Sequence, residues 1–210
     1  MQSDEAVLFF SAGKDSLALL DLISPKFKRV LCVFMYFVPD LEHIGRYLNW
    51  AKAKYPNIEI EQVPHWNLSY ILRGGVYCAP NPAIKLIKLK DVADAVRKKH
   101  SIEYVFYGTK KADSLNRRLM LGTYTDAINK GNVFPLQDWS NKEVLAYLQQ
   151  NRLPVPVRYS KNASGGVGFN IDCFLWLREN YPQDLQKILK TFPLSEKILI
   201  DYERSHKRVG

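Results

Sequence analysis

Apolar residues open the chain as unbroken runs and then settle into helical spacing, and this change of period predicts alternating strands and helices. Residues 6–10 (AVLFF) form a continuous apolar run with turn residues after it, the pattern of a strand buried on both faces. From Asp15 the spacing becomes Leu17, Leu19, Leu20, Leu22 and Ile23, a short helix. Residues 29–38, rich in Val, Phe and Tyr, predict a second strand, and 41–55 an amphipathic helix that stops at Pro56. Residues 58–63 alternate as a third strand, and the glycine-bearing stretch 72–82 (LRGGVYCAPNP) reads as irregular. Beyond it the pattern predicts a helix over 83–99, a fourth strand over 104–107, a helix over 115–128 and a fifth strand over 132–136. Ser140 and Glu143 make a capping box that opens a helix over 141–150, and Pro154 and Pro156 close that region. Residues 164–168 read as a flexible loop, and 171–190 and 194–204 as helical. The expected fold class is α/β: a mostly parallel five-stranded sheet with helices on both faces and a C-terminal helical tail.

Composition adds bounds. The chain has 210 residues with 47 % hydrophobic content, enough for one sizeable domain and too apolar for disorder. Its longest apolar run, residues 30–38, is about half of what a membrane span needs, so no membrane association is expected. The start, Met-Gln-Ser-Asp-Glu, carries acids where a secretory signal needs bases. Three cysteines, Cys32, Cys78 and Cys173, are too few for a disulfide framework, which predicts a reducing, cytoplasmic location. The net charge is +9, and residues 85–118 supply +6 of it, with ten Lys and Arg against four acids. Such a segment is either a solvated helix face or a surface for a polyanion, and charge alone does not choose.

The chemistry-bearing segment follows strand one directly. Ser11-Ala12-Gly13-Lys14-Asp15-Ser16 joins strand to helix, an arrangement in which backbone N–H groups and the helix dipole hold phosphate. Small residues at Ala12 and Gly13 leave room for phosphate oxygens. Ser11 and Ser16 offer hydroxyls, Lys14 a positive charge, and Asp15 either a Mg²⁺ ligand or a helix cap. The loop is shorter than a Walker motif and lacks the spaced glycines of a dinucleotide fingerprint.

The loop resembles the S-G-G-x-D-S pyrophosphate loop of the PP-loop ATP pyrophosphatase superfamily, with Ala12 in place of one glycine. Gly108-Thr109-Lys110-Lys111-Ala112-Asp113-Ser114, with Arg117 and Arg118, resembles the G-x-R-x-x-D-S-x-x-R segment of phosphoadenosine-phosphosulfate reductases. Residues 133–144 resemble that family's P-L-x-x-W-(S/T)-x-x-(D/E)-V block, and 38–42 its strand-two turn. The resemblance implies an adenine nucleotide alpha hydrolase-like fold, with a nucleotide-binding domain over 1–180 and a helical extension over 181–210. It implies ATP and Mg²⁺, the latter held in part by Asp15. Phosphates would meet Ser11, Ala12, Gly13, Lys14, Asp15 and Ser16, with Lys14 and Asp15 catalytic. Val33, Met35 and Gly108 would frame adenine and ribose, and Lys110, Lys111, Arg117 and Arg118 would face the anionic end of nucleotide or substrate.

The same resemblance sets limits on the cysteines. Sulfonucleotide reductases work through a cysteine in an E-C-G-x-H tail, and this chain has no cysteine after Cys173. Adenylylsulfate reductases use four cysteines for a cubane; two at most are available here, so no iron–sulfur cluster is expected unless a partner supplies ligands. Cys78 and Cys173 sit where tRNA thiolation enzymes of the superfamily place two working thiols, which makes both candidate catalytic residues. They read equally well as inert half-buried thiols. Tyr70 and Tyr77, flanking Arg73, and the pair His65 and Trp66 are candidate stacking surfaces for a base.

The leading expectation is ATP cleavage between the α and β phosphates to adenylate an acceptor: a nucleotide, tRNA or DNA, with sulfur transfer as one use. The alternatives are a reductase or sulfurtransferase using Cys173 or a partner's thiol, and a non-catalytic nucleotide- or nucleic-acid-binding subunit. A protein partner supplying substrate or sulfur belongs to the same expectation.

Overall fold

The computed structural model describes residues 3–124, 128–156 and 168–207. Its sheet has the order β3-β2-β1-β4-β6-β5. β1 (Glu5–Phe9) pairs in parallel with β2 (Arg29–Tyr36) and with β4 (Val105–Phe106), and β4 pairs in parallel with β6 (Asn132–Val133). β3 (Ile58–Pro64) flanks β2. The mostly parallel α/β fold expected from the sequence is the fold observed, and the reason lies in the residues. Ala6, Val7 and Leu8 of β1 and Val30, Cys32 and Val33 of β2 are fully buried, so unbroken apolar runs mark the strands at the centre. β3, at the edge, keeps the alternation of a half-exposed strand.

The end of the sheet departs from expectation. The helix predicted over 115–128 stops early, as α5 (Leu115–Gly122), and Ile128–Asn129 forms a two-residue strand β5 antiparallel to β6. Lys130 and Gly131 both take positive φ, 48° and 76°, the geometry of a two-residue hairpin turn that matches strand twist. A Cβ on Gly131 would stand 2.9 Å from the Glu103 carbonyl oxygen, so glycine is required there.

Two other helical segments are shorter than their spacing predicts. The helix predicted from residue 83 begins at Leu89 (α4, Leu89–His100). The backbone before it is bound elsewhere: Arg73 donates to the Ile84 carbonyl, Ile87 N–H donates to Ser69 Oγ, and Ala83 N–H donates to Asn81 Oδ1. Ser69 and Arg73 lie on α3 (Leu68–Gly74), a helix whose last turn enters the 72–82 stretch that reads as irregular. The predicted 171–190 helix is two, α7 (Ile171–Asn180) and α8 (Pro182–Thr191), broken at Tyr181 because a residue before proline is driven out of the helical region. Pro182 then opens α8 at the position where its missing N–H costs nothing. α1 (Lys14–Ile23), α2 (Glu42–Lys54), α6 (Asn141–Gln150) and α9 (Lys197–Lys207) complete the elements, α6 with the Ser140–Glu143 capping box in place. The loop expected at 164–168 lies outside the described residues except for Gly168.

The chain divides into two compact units. One comprises Met1–Met35, Leu48–Val63 and Lys90–Pro156, and holds most of the sheet, α1, α4, α5 and α6. Within it α1, α2 and α6 share a polar knot: Asp21 accepts from Tyr55 and Tyr147 hydroxyls at 2.6 and 2.8 Å and pairs with Lys54 at 3.2 Å. Burial acts to raise the Asp21 carboxyl, and these three donors hold it below the usual range.

The other unit comprises Tyr36–Tyr47, Pro64–Leu89 and Val157–Gly210. Its core gathers Leu41, Phe174, Leu177, Leu185, Ile188 and Phe192 with Cys78 and Cys173. There Asp184 of α8 accepts the N–H groups of Glu42 and His43 at 2.9 Å each, capping the start of α2 from another helix. No helix among the described residues is long and apolar enough to cross a membrane.

Candidate functional site

The strand order places a topological switch point between β1 and β4: from β1 the chain goes to β2 on one side, and β4 lies on the other. Open α/β sheets bind ligands beyond the carboxyl ends of the strands at such a point. Two segments meet there, the β1–α1 loop and the turn after β4.

The first segment is Ser11 to Ser16. Leu17 N–H donates to the Gly13 carbonyl at 3.0 Å, the first bond of the helix ladder, so the N–H groups of Lys14, Asp15 and Ser16 have no acceptor within α1. Helix geometry thus supplies three aligned donors and the positive end of the dipole. The hydroxyls brace the loop: Ser16 Oγ donates to the Gly13 carbonyl at 2.9 Å and lies 3.2 Å from Ser11 Oγ.

Ala12 carries the conformational cost. Its φ is +56°, in the left-handed region, whereas Gly13 is extended at φ −83°. A left-handed residue with a Cβ costs about 1–2 kcal/mol relative to the right-handed form. Ala12→Gly removes that strain, less the extra freedom glycine gains when unfolded. We expect it to stabilise the protein by up to about 1 kcal/mol and Ala12→Val to destabilise it by at least as much, read by urea unfolding. Equal stability of all three would contradict the assignment of strain.

The second segment is Gly108 to Arg118. A Cβ on Gly108 would lie 3.3 Å from the backbone carbon and Cβ of Asp15 and 3.4 Å from Ser16 N, so this glycine lets the turn after β4 close onto the first turn of α1. Two residues later Lys110 is fully buried, and its ammonium reaches Asp15 Oδ1 at 2.5 Å and Asp113 Oδ1 at 2.8 Å. Lys14 holds the other Asp15 oxygen at 2.6 Å, and Arg117 holds Asp113 Oδ2 at 2.6 Å. Burial acts to raise the Asp113 carboxyl, but hydrogen bonds and charge from Lys110, with Arg117, hold it below the ordinary carboxylate range. Charges therefore alternate along the chain Lys14–Asp15–Lys110–Asp113–Arg117.

The structure thus brings Lys14, Asp15, Gly108 and Lys110 together and distributes the other basic residues differently. Lys111 pairs with Asp138 at 2.6 Å, Arg117 with Asp113, and Arg118 is exposed on α5. Both Asp15 oxygens are engaged by ammonium groups, a pairing that a divalent cation at that carboxylate would have to displace. Val33 is buried in β2 with its carbonyl accepting Phe10 N–H, and Met35 is half-buried near the strand's end.

Cys78 and Cys173 belong to the other unit, where both are buried and free in one apolar core. Burial pushes the Cys173 thiol up, toward its protonated form. Cys32 lies in β2, its thiol pushed up by burial to about 12, as a packing residue's would be. Tyr77 meets Phe169 at 4.6 Å between ring centroids, tilted by 32°, against that second core, and Tyr70 is exposed. Asp113 stands in the segment that carries the reductase resemblance, but the sequence alone gives it no role; its spacing of three from Lys110 is the visible signal of the pair.

A family model for the phosphoadenosine phosphosulfate reductase domain matches residues 5–165. No curated protein matches the chain. Among solved structures, the U34-tRNA thiolase NcsA from Methanococcus maripaludis with its [4Fe-4S] cluster is similar at 15 % identity and TM-score 0.49, covering 91 % of this chain and 72 % of that one. The NH3-dependent NAD synthetase from Campylobacter jejuni subsp. jejuni, in complex with the nitrate ion, is similar at 17 % and 0.45, covering 96 % and 86 %. A predicted subunit of tRNA methyltransferase from Methanocaldococcus jannaschii is similar at 15 % and 0.41, covering 90 % and 87 %.

One expectation is corrected here. The sequence argued against an iron–sulfur cluster, and NcsA carries one, so the exclusion does not stand. Of its own residues this chain offers Cys78 and Cys173 in one core. Among the described residues no group of three or more His, Cys, Asp or Glu is assembled as metal ligands, and the side chains present do not by themselves fit a four-thiolate cluster. The domain match spans the sheet, the loop at the switch point and the Gly108–Arg118 segment, and on it the chain belongs to the phosphoadenosine phosphosulfate reductase domain family of the PP-loop ATP pyrophosphatase superfamily.

Proposed function

We propose that the chain binds ATP, cleaves it between the α and β phosphates and transfers the adenylyl group to an acceptor. The observation that carries this reading is the loop at the switch point, where three backbone N–H groups without an acceptor in α1 and the Lys14 ammonium lie at the helix N-terminus, with the Ser11 and Ser16 hydroxyls bracing the turn. In the proposed step an acceptor oxygen attacks the α-phosphorus. The bond from that phosphorus to the bridging oxygen breaks, and pyrophosphate leaves with the electron pair. The loop's contribution is positional and electrostatic: fixed donors stabilise the charge that grows on the leaving pyrophosphate, without reorganisation at the moment of reaction.

Family membership supports an adenine nucleotide at this position. An anionic acceptor, such as a nucleotide, tRNA or DNA, suits the positive balance of residues 85–118, in which Lys98 and Arg118 stand exposed. The reductase alternative needs a poised thiolate, and the buried Cys173, pushed toward the thiol, is the opposite environment.

The testing experiment is pyrophosphate release by the full chain with ATP in a Mg²⁺-containing buffer, with mononucleotides, bulk tRNA or DNA supplied in turn. ATP-dependent release stimulated by one of these identifies the acceptor class. Binding of ATP with no release under any of them overturns adenylyl transfer, and failure to bind ATP overturns the reading as a whole.

A further inference from the structure

Lys110 is a paradox for an anion receptor: it carries a charge beside the loop, yet its side chain is 0 % exposed and both its carboxylate partners are within 2.8 Å. A lysine so placed cannot reach a ligand without abandoning two buried ion pairs, and breaking a buried pair is strongly destabilising. Its neighbours explain the arrangement. Asp113, only 14 % exposed, receives the Lys110 backbone N–H at 3.0 Å and its ammonium at 2.8 Å, and closes the single turn Lys111–Asp113. It also receives Arg117 from the first turns of α5. Asp113 therefore fixes Lys110 at both ends, backbone and ammonium, and Lys110 in turn fixes Asp15.

We propose that Asp113 is a positioning residue for the phosphate loop: through Lys110 it holds the Asp15 carboxylate, and with it the Lys14 ammonium, at the N-terminus of α1. Lys110 is then a buried cross-link between the two segments of the site. Lys14, 30 % exposed and in the first turn of α1, stays accessible for phosphate. The proposal rests on the reading of Ser11–Ser16 as a phosphate loop, and its test is chosen to be judged with or without ATP binding.

The experiment measures the rate at which an amine-reactive ester acylates each lysine of the full chain, by mass spectrometry, with exposed Lys52 as internal reference. In the wild type Lys110 should react at least tenfold more slowly than Lys14, and ATP or inorganic pyrophosphate should protect Lys14 and leave Lys110 unchanged. Asp113→Asn should change Lys14 reactivity severalfold and weaken ATP binding about tenfold, and Asp113→Glu should return both toward wild type.

The proposal is overturned if Lys110 labels as readily as Lys14 and is protected by ligand, or if Asp113→Asn leaves Lys14 reactivity as it was. Should Asp113→Asn fail to fold, the wild-type labelling of Lys110 against Lys14 decides alone. Should the wild type bind neither ATP nor pyrophosphate, the phosphate reading fails, and Lys14 labelling in Asp113→Asn still judges the positioning claim.

Discussion

Replacing Asp184 by alanine is expected to destabilise the unit that contains it by about 3–5 kcal/mol, because two backbone N–H groups and the His43 ring lose a buried acceptor at about 1–3 kcal/mol each. Asp184 is 1 % exposed and meets four groups: the Glu42 and His43 N–H groups, His43 Nδ1 at 2.7 Å and the Lys187 ammonium at 3.6 Å. Without it two backbone donors at the start of α2 lose their acceptor and the buried imidazole loses its only hydrogen-bond partner among the described residues, since His43 Nε2 has none. Asparagine restores one acceptor and presents an amide to the rest, so Asp184→Asn should recover only part of the loss. Urea unfolding followed by far-UV circular dichroism measures both. A loss under 1 kcal/mol for Asp184→Ala would contradict the role given to this carboxylate.

The same pair gives the unit a pH dependence of definite sign. Burial holds His43 below its ordinary value, against the opposing pull of Asp184, so the folded state favours the neutral ring. Stability from this term is present at neutral pH and declines as pH falls below about 6.5, where the unfolded histidine takes up its proton. For Asp184 burial acts upward, but the His43 and Glu42 hydrogen bonds hold it below the usual range. Its contribution is present above the unfolded value of about 3.9 and is lost as pH falls through the folded one. His43→Leu should weaken the first decline, whose remainder comes from the half-buried His65, and keep the second through the backbone bonds to Asp184.

This pair also marks what the sequence leaves hidden. Asp184 and His43 are 141 residues apart, and neither stands in a local pattern that announces the other. The bond from Lys110 to Asp15 spans 95 residues in the same way, so the site's cations were legible as residue types while their partners were not. Local signals fared better. β1 and β2 were readable because a central parallel strand must be apolar on both faces, and the Ser140–Glu143 cap because its two partners are three residues apart.

At residues 83–88 tertiary polar contacts override the helical spacing. Ile84 and Ile87 are spaced as on a helix, but Ser69 and Arg73 of α3 take the backbone groups a helix would need. The turn at Lys130-Gly131 lies between the predicted 115–128 helix and 132–136 strand; the apolar spacing hides only that Ile128 and Asn129 form the hairpin's first arm.

The largest effect on activity is expected from Lys14→Ala. Lys14 is a partly exposed end of the alternating charges and sits in the first turn of α1, beside donors that helix geometry leaves free. If the loop receives the leaving pyrophosphate, removing this ammonium withdraws a fixed positive charge from the place where negative charge develops. Loss of one such preorganised donor lowers turnover on the order of 10²–10³-fold, about 3–4 kcal/mol of transition-state stabilisation. Folding should hardly change, because the Lys14–Asp15 pair is partly solvent-exposed and Asp15 keeps Lys110.

Lys14→Arg separates charge from geometry: it retains the cation on a longer, planar head, and should recover binding of ATP more than turnover. Pyrophosphate release under saturating ATP, beside unfolding curves for each variant, distinguishes these outcomes. Undiminished release from Lys14→Ala would remove the loop from the chemistry. A loss of release matched by a loss of stability would instead make Lys14 a structural residue, with Asp15 held for the fold and not for the phosphates.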